Sequence, residues 1–262
     1  MNIGVLKSFI LSQGASRRII TMEWDKFWAE NKRYLEEVAP RYMAVNDPAK
    51  GKGAVPFMVS NFAELYGEAK EVAATAPIHP QKPELGTRVM RRAARLLLDP
   101  EDANVLTEGE EVTLLRWGNF IVEKMTKDEA GAVTSISARH DPEAKNFSKT
   151  RKLTWLAVTP DVVPCTLVEF DHLISKAKLG DDEDFKDFVN PRTRAEVRYS
   201  LLIGSQSGNL APQSYAVGDP CLRTVTPGQI IQLERRGFFR CDVAYGNRPD
   251  KPIVLFYIPG KR

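Results

Sequence analysis

Apolar residues recur at helical spacing near the start of the chain and at alternate or short continuous spacing through most of its remaining length. Val5, Leu6, Phe9 and Ile10 share one face of a first helix, and Gly14 is suited to end it in the left-handed backbone conformation that glycine adopts freely. Thr21 can cap a second helix over about 22–37, with Trp24, Phe27, Trp28, Asn31 and Leu35 as its stripe and Pro40 as its stop. Two short helices cannot bury so many aromatic rings between themselves, so the stripe must pack against something else.

After Val45 the pattern changes. Residues 46–53, with Pro48, Gly51 and Gly53, form a loop, and short β-rich runs come after it at 55–61, 111–115, 120–125, 133–138, 152–158, 166–170, 230–234, 238–243 and 253–258. Turn residues at 128–131 and 225–228 separate neighbouring runs. Many strands in series with few helices between them point to barrels or sandwiches. Two stretches depart from this. Arg88, Arg91, Arg92 and Arg95 recur at helical spacing within 85–98, and 192–218 is rich in Ser, Gly, Asn and Gln around a small apolar island at 201–203, as expected of a long exposed excursion. No internal repeat is visible in the sequence.

The chain has 262 residues, 43% hydrophobic and 27% charged, enough to bury a sizeable core and about two structural units. No apolar run approaches the roughly 18 residues of a membrane helix, and the first residues lack a secretory pattern, so the expectation is a soluble, cytoplasmic protein with no membrane partner. Cys165, Cys221 and Cys241 are too few and too far apart for a zinc pattern and read as packing residues. His79, His140 and His172 stand in no ligand motif. The phosphate loop, the dinucleotide fingerprint and the nucleophile elbow are all missing, and the carboxylates at 181–184 lack the alternating spacing of a calcium loop and read as a solvated loop or helix start. The 37 basic and 34 acidic residues nearly cancel, but the basic ones cluster beside aromatics. Lys145, Lys149, Arg151 and Lys152 lie near Phe147 and Trp155, and Gln232, Glu234, Arg235, Arg236 and Arg240 lie beside Phe238 and Phe239. Guanidinium forks bond phosphates and base edges while aromatic faces stack splayed bases, so this mixture suits single-stranded RNA, although outward basic residues are also ordinary sheet surface.

The segments FILSQG at 9–14, MEWDK at 22–26, VAPRY at 38–42, HPQKPELG at 79–86, GEEVTLLRWGN at 109–119, TWL at 154–156, DDEDF at 181–185, GDPCL at 218–222 and IQLERRGFF at 231–239 occur in one order across nearly the whole chain. In these it resembles the eukaryotic and archaeal type of glutamyl-tRNA synthetase, a class I enzyme, and more distantly its glutaminyl relative. The resemblance implies a mainly β fold with an N-terminal helical segment and two anticodon-binding β-barrels, proximal and distal. Residues 1–45 correspond to a helical connector from the catalytic part, 46–164 with 241–262 to the proximal barrel, and 165–240 to the distal barrel; it also makes 85–98 a strand region. Nothing in the chain resembles the family's two ATP-handling signatures. The implied fragment therefore binds the anticodon stem-loop of tRNA(Glu) and holds no cofactor, while ATP with magnesium serves the parent enzyme.

Carried over residue by residue, the family's pocket for the middle anticodon base, a uridine, matches Arg41, Gln232 and Arg235, with Arg116 as a further candidate for the first base. Trp117, Gly118 and Asn119 follow the glutamyl pattern, and the basic cluster of the glutaminyl branch is replaced by LTEGE at 106–110, which favours glutamate over glutamine. Two alternatives remain: the equivalent part of a glutaminyl enzyme, and a module that docks other proteins of a synthetase complex through 201–203.

Overall fold

The computed structural model describes residues 3–12, 14, 24–49, 53–144, 147–170, 174–176, 179–180, 182–190, 194–196, 216–246 and 250–260. The expected cap at Thr21 and the island at 201–203 lie outside them. Helices α1 (Ile3–Ser12) and α2 (Trp24–Val38) come first, and Gly14 stands in the left-handed region at φ 77°. Strands β1 (Arg41–Tyr42), β2 (Ala44–Asn46) and β3 (Val55–Val59) follow, then a short helix α3 (Phe62–Tyr66) and a two-stranded ribbon of β4 (Glu71–Pro77) and β5 (Thr87–Ala93). After β6 (Arg95–Leu98) and helix α4 (Pro100–Ala103) come β7 (Glu111–Leu114), β8 (Gly118–Lys127), β9 (Val133–Asp141), β10 (Arg151–Leu153) and β11 (Leu156–Ala157). The last part contains β12 (Val163–Phe170), β13 (Arg194–Glu196), β14 (Ala216–Gly218), β15 (Ile230–Leu233), β16 (Gly237–Val243) and β17 (Ile253–Ile258).

Two large sheets organise these strands, and each is closed by one segment that changes partner midway. The first has the order β10-β7-β8-β9-β3-β6-β11, and its outermost strands β10 and β11 are separated only by Thr154 and Trp155. The segment 151–157 thus pairs with β7 on one side and β6 on the other, which curls the sheet into a barrel and removes its free edges. The second has the order β1-β15-β16-β17-β12-β14-β2, with β13 on β12, and β1 and β2 are separated only by Met43. Segment 41–46 closes it in the same manner, against β15 and β14. Alternation fills each interior: Val55, Phe57 and Val59 of β3 join Leu96, Leu98, Phe120, Ile136 and Trp155 in one core, and Leu167, Ile231, Leu233, Cys241, Ile253 and Leu255 form the other. Helix α2 lays Leu35 on Phe238, Ile230 and Ile258 at the outside of the second barrel, and Phe27 meets Phe9 edge-on at 5.9 Å. Phe27, Asn31 and Leu35 of the expected stripe are buried.

The mainly β fold and its helical start are as the sequence indicates, but the division of the chain differs. Strand β17 lies between β16 and β12, so of the expected 241–262 segment the final strand, 253–258, stays with the strands of 163–243 and does not complete the unit of 46–164. The cause is a parallel register, Cys165 opposite Ile253 and Leu167 opposite Leu255, which puts both pairs into one core and has no local signal in the sequence. The end of the expected helical connector also belongs to the second barrel, as its closing segment 41–46. Within 85–98 the chain forms the strands β5 and β6, because Arg88 and Met90 are buried on alternate positions of β5 and period two prevails over the helical spacing of the charges. The cysteines pack: Cys165 is buried, and burial drives its thiol up to about 12.

The two barrels share one hairpin. β7 and β8 are joined by Leu115-Arg116-Trp117, and β15 and β16 by Glu234-Arg235-Arg236. In both, the middle arginine is left-handed, at φ 63° and 64°, and the next strand opens with a glycine of positive φ, Gly118 at 150° and Gly237 at 117°. A Cβ at Gly118 would sit 2.8 Å from His140 Nε2, and one at Gly237 would sit 2.7 Å from Tyr257 Cε2. Gly118→Ala and Gly237→Ala are each expected to cost about 2 kcal/mol, backbone strain and overpacking combined, seen as a lower denaturant midpoint with unchanged slope. A loss well under about 1 kcal/mol at both would mean that the turns yield freely.

Candidate nucleic-acid interface

Strand register brings Arg41 and Gln232 together. β1 runs parallel to β15 with Arg41 opposite Gln232 and Tyr42 opposite Leu233. Gln232 donates its backbone N–H to the Pro40 carbonyl at 2.8 Å, and Glu234 donates to that of Tyr42 at 2.9 Å. Because Tyr42, Ile231 and Leu233 lie in the barrel core, alternation turns Arg41, Gln232 and Glu234 outward. That outward face meets the first barrel.

Arg41 is held from several sides. Its backbone N–H bonds the carbonyl of Ile78 at 3.1 Å, and its guanidinium donates at 3.3 Å to the carbonyl of Glu36 in the last turn of α2. A cation there meets both an unsatisfied carbonyl and the negative end of the helix dipole. His79, fully buried, bonds the same carbonyl through Nε2 at 2.8 Å while its Nδ1 accepts the Gln81 N–H at 3.2 Å. That pattern puts the imidazole proton on Nε2, so the 3.2 Å approach of Arg41 Nη2 to Nε2 is a packing contact. What remains is informative. Among the described residues, Arg41 Nε and Gln232 Oε1 are both buried with no hydrogen-bond partner, a donor and an acceptor on opposed residues of one strand pair.

The two left-handed arginines reach across between the barrels. Arg116 donates to the Pro77 carbonyl at 2.9 Å and pairs with Glu234 of the opposite barrel, the side chains being 12% and 9% exposed. Burial pulls the Arg116 pKa down, Glu234 opposes that shift, and the nearby Arg41 adds to it. Arg235 pairs in the other direction, grasping both carboxylate oxygens of Asp102 in α4, one of them at 2.7 Å. Arg236 reaches Asp99 and Asn46, each at 2.7 Å. Arg88 of the ribbon pairs with Asp219, both almost fully buried, and burial with Arg116 close by pushes its pKa down to about 10.

Of the four residues expected from the sequence, Arg41 and Gln232 therefore stand side by side. Arg235, three positions along the same hairpin, has turned its guanidinium to Asp102, and Arg116 arrives from the other barrel and joins the group through Glu234. Sequence reasoning gave no role to Asp102, Asp99 and Asp219 and named Glu234 only as a member of the basic and polar cluster, yet these four balance the arginines. Glu234 lies within the IQLERRGFF segment and was open to the question of what a carboxylate does between arginines; Asp99 and Asp102 lie over 130 residues from their partners and gave no such opening. The aromatics also change role: Trp155, Phe238 and Phe239 are buried in the cores and offer no stacking face, whereas Phe147 is 49% exposed. Lys149 is exposed beside it, Lys152 bonds the carbonyls of Phe147 and Thr150, Arg151 pairs with Glu110, and Lys145 lies outside the described residues. Asp184 caps a short turn by accepting from the Lys186 N–H, in keeping with a helix start.

Two family models, both described as the anticodon-binding domain of class I tRNA synthetases for E and Q, match residues 39–141 and 152–242. The bifunctional glutamate/proline–tRNA ligase of Drosophila melanogaster is 40% identical over 99% of this chain and 14% of its own length. The cytoplasmic glutamate–tRNA ligase of Arabidopsis thaliana is 39% identical over 100% of this chain, and that of Saccharomyces cerevisiae 36% identical over 99%. The chain spans 33% and 32% of those two relatives.

Glu234→Gln leaves the buried Arg116 charge without a counter-ion and is expected to cost about 3 kcal/mol of stability. Adding Arg116→Met in that background is expected to restore part of the loss in denaturant melts, since the orphaned charge is then gone. Simple addition of the two losses would show that the pair is not coupled.

Proposed function

The chain belongs to the class I tRNA synthetases of the glutamyl and glutaminyl type, and from that we propose that it is the part of a glutamate–tRNA ligase that reads the anticodon of tRNA(Glu). The observation that carries the reading is the opposed pair of Arg41 and Gln232 at the face between the barrels, with Nε and Oε1 buried and unpartnered. Uracil offers an N3–H donor and carbonyl acceptors at O2 and O4. Gln232 Oε1 complements the donor, and the Arg41 N–H groups and the Gln232 carboxamide complement the acceptors. Cytosine presents an acceptor at N3 and a donor at N4, so it would leave buried groups unmet, at roughly 1 to 3 kcal/mol. Arg235 completes the pocket by leaving Asp102 for the base or its phosphate. Arg116 acts as a positioning residue, since Glu234 and the Pro77 carbonyl already occupy its guanidinium.

Glutamate is favoured over glutamine by the names of the relatives and by Trp117, Gly118 and Asn119. We take the barrel entered by the helical segment as the proximal one and the barrel of 55–157 as the distal one. Among the described residues no helix is long and apolar enough to cross a membrane, and the two relatives named cytoplasmic support that compartment for this protein. The bifunctional relative supports association with other synthetases as a property of the longer protein. ATP and magnesium serve its catalytic part.

Gln232→Leu is expected to reduce the preference for stem-loops with uridine over cytidine at the middle anticodon position about tenfold, read by titration at fixed salt. Equal losses for both loops would reduce Gln232 to a scaffold residue. The chain alone is expected to give no glutamate-dependent exchange of pyrophosphate into ATP, and turnover would overturn this division of labour.

A further inference from the structure

Asp102 sits where a ligand of Arg235 would sit. Arg235 is the most exposed of the four arginines paired across the face between the barrels, at 44% against 18% for Arg236, 12% for Arg116 and 2% for Arg88. Its partner is an aspartate whose side chain is 12% exposed, and the contact is two-pronged, the geometry a guanidinium also makes with a phosphate or a base edge. The left-handed backbone of Arg235 puts its side chain at the tip of the hairpin, where it can swing without moving β15 or β16. Arg236, the next residue, stays on Asp99 and Asn46, so the barrels remain joined when Arg235 lets go. Arg116 with Glu234 and Arg88 with Asp219 keep them joined as well.

We propose that Asp102 is a specificity-determining residue: in the free protein it occupies Arg235 as an internal stand-in for RNA, and only a ligand that replaces both of its oxygens releases the arginine. The inference rests on the anticodon reading and adds its threshold. A loop with uridine at the middle position supplies a seated base and a correctly placed phosphate, which together outcompete the carboxylate. A loop that does not seat leaves Arg235 on Asp102 and gains nothing from it. The carboxylate therefore weakens all binding that recruits Arg235 and removes most of the contribution Arg235 would otherwise make to wrong loops as a free surface charge.

The test uses the chain with synthetic anticodon stem-loops carrying uridine or cytidine at the middle position, at about 0.15 M salt, where distant charges are screened. Asp102→Asn is expected to tighten binding of the uridine loop about fivefold, and that gain is expected to vanish in an Arg235→Ala background. Glu101→Gln makes the same change of charge one residue away on a side chain outside the ion pair and is expected to change either affinity by less than twofold. Asp102→Ser serves as a second charge-free variant should Asp102→Asn melt below the assay temperature. Weaker or unchanged binding of the uridine loop by folded, charge-free variants would make the Asp102 contact a permanent strut and overturn the proposal. If Arg235→Ala alone leaves uridine-loop binding unchanged, the fault lies instead with Arg235 as part of the pocket, and the two failures are told apart.

Discussion

The buried ion pair of Arg116 with Glu234, made from a hairpin tip in a backbone conformation that costs a side chain about 1 kcal/mol or more, joins the two barrels at the middle of this molecule. Arg116 and Arg235 occupy the same place in two matching hairpins, one from each barrel, and each reaches a carboxylate on the opposite barrel: Glu234 for the first and Asp102 for the second. The exchange is reciprocal. Glu234 itself belongs to the turn that contains Arg235, so the two hairpin tips are tied to each other as well as to the barrels. The proposed site depends on that constraint, because Arg41 and Gln232 are on the outward face of the same strand pair and are enclosed only when a second barrel stands across from them.

The balance of charge in this region decides which residue is left for a ligand. Four arginines have carboxylate partners: Arg88 with Asp219, Arg116 with Glu234, Arg235 with Asp102 and Arg236 with Asp99. Among the described residues Arg41 has no ion pair and relies on the carbonyl of Glu36. Guanidinium is well suited to these half-dry pairs, since its charge survives burial that would neutralise a lysine; Arg88, the most buried of them, still has a pKa of about 10. This group of side chains therefore has one more cation than anion, and the surplus lies beside an unpartnered carboxamide oxygen. An anionic chain that carries a base with both donors and acceptors answers both deficits at once.

Much of this was legible in the residues. Alternation and turn chemistry located most of the long strands, and the glycine after α1 and the stripe on α2 gave both helices. The short pieces were not legible. β1, β2 and β14 have two or three residues each, too few for a period to appear, and they exist because closing a barrel satisfies their backbone groups. The parallel partner of β17 was hidden for a related reason: apolar alternation says that a strand has a buried face, never which core that face enters. Residue matching named Arg41 and Gln232, which the strand register sets opposite each other, whereas the anions came from distant segments. The side-chain direction of Arg235 depended on one of those, Asp102, and so was beyond reach of the local sequence.

The duplication of hairpin and closing segment explains why this site belongs to one barrel. In the first barrel the corresponding register sets Lys152 opposite Thr113, as Arg41 is opposite Gln232 in the second. There the polar groups are already consumed. Thr113 Oγ1 bonds Asn119 at 2.6 Å and also meets Thr150, while Lys152 donates to the Thr150 carbonyl at 2.6 Å. A long flexible ammonium folds back on its own strand, and a hydroxyl is satisfied by its neighbours. In the second barrel the planar guanidinium of Arg41 is pinned to the end of α2, and among the described residues its Nε has no acceptor. The same architecture thus yields a self-satisfied strand pair in one copy and an open donor and acceptor in the other, and the difference traces to helix α2, which packs Leu35 on the second barrel and offers Arg41 its last-turn carbonyl.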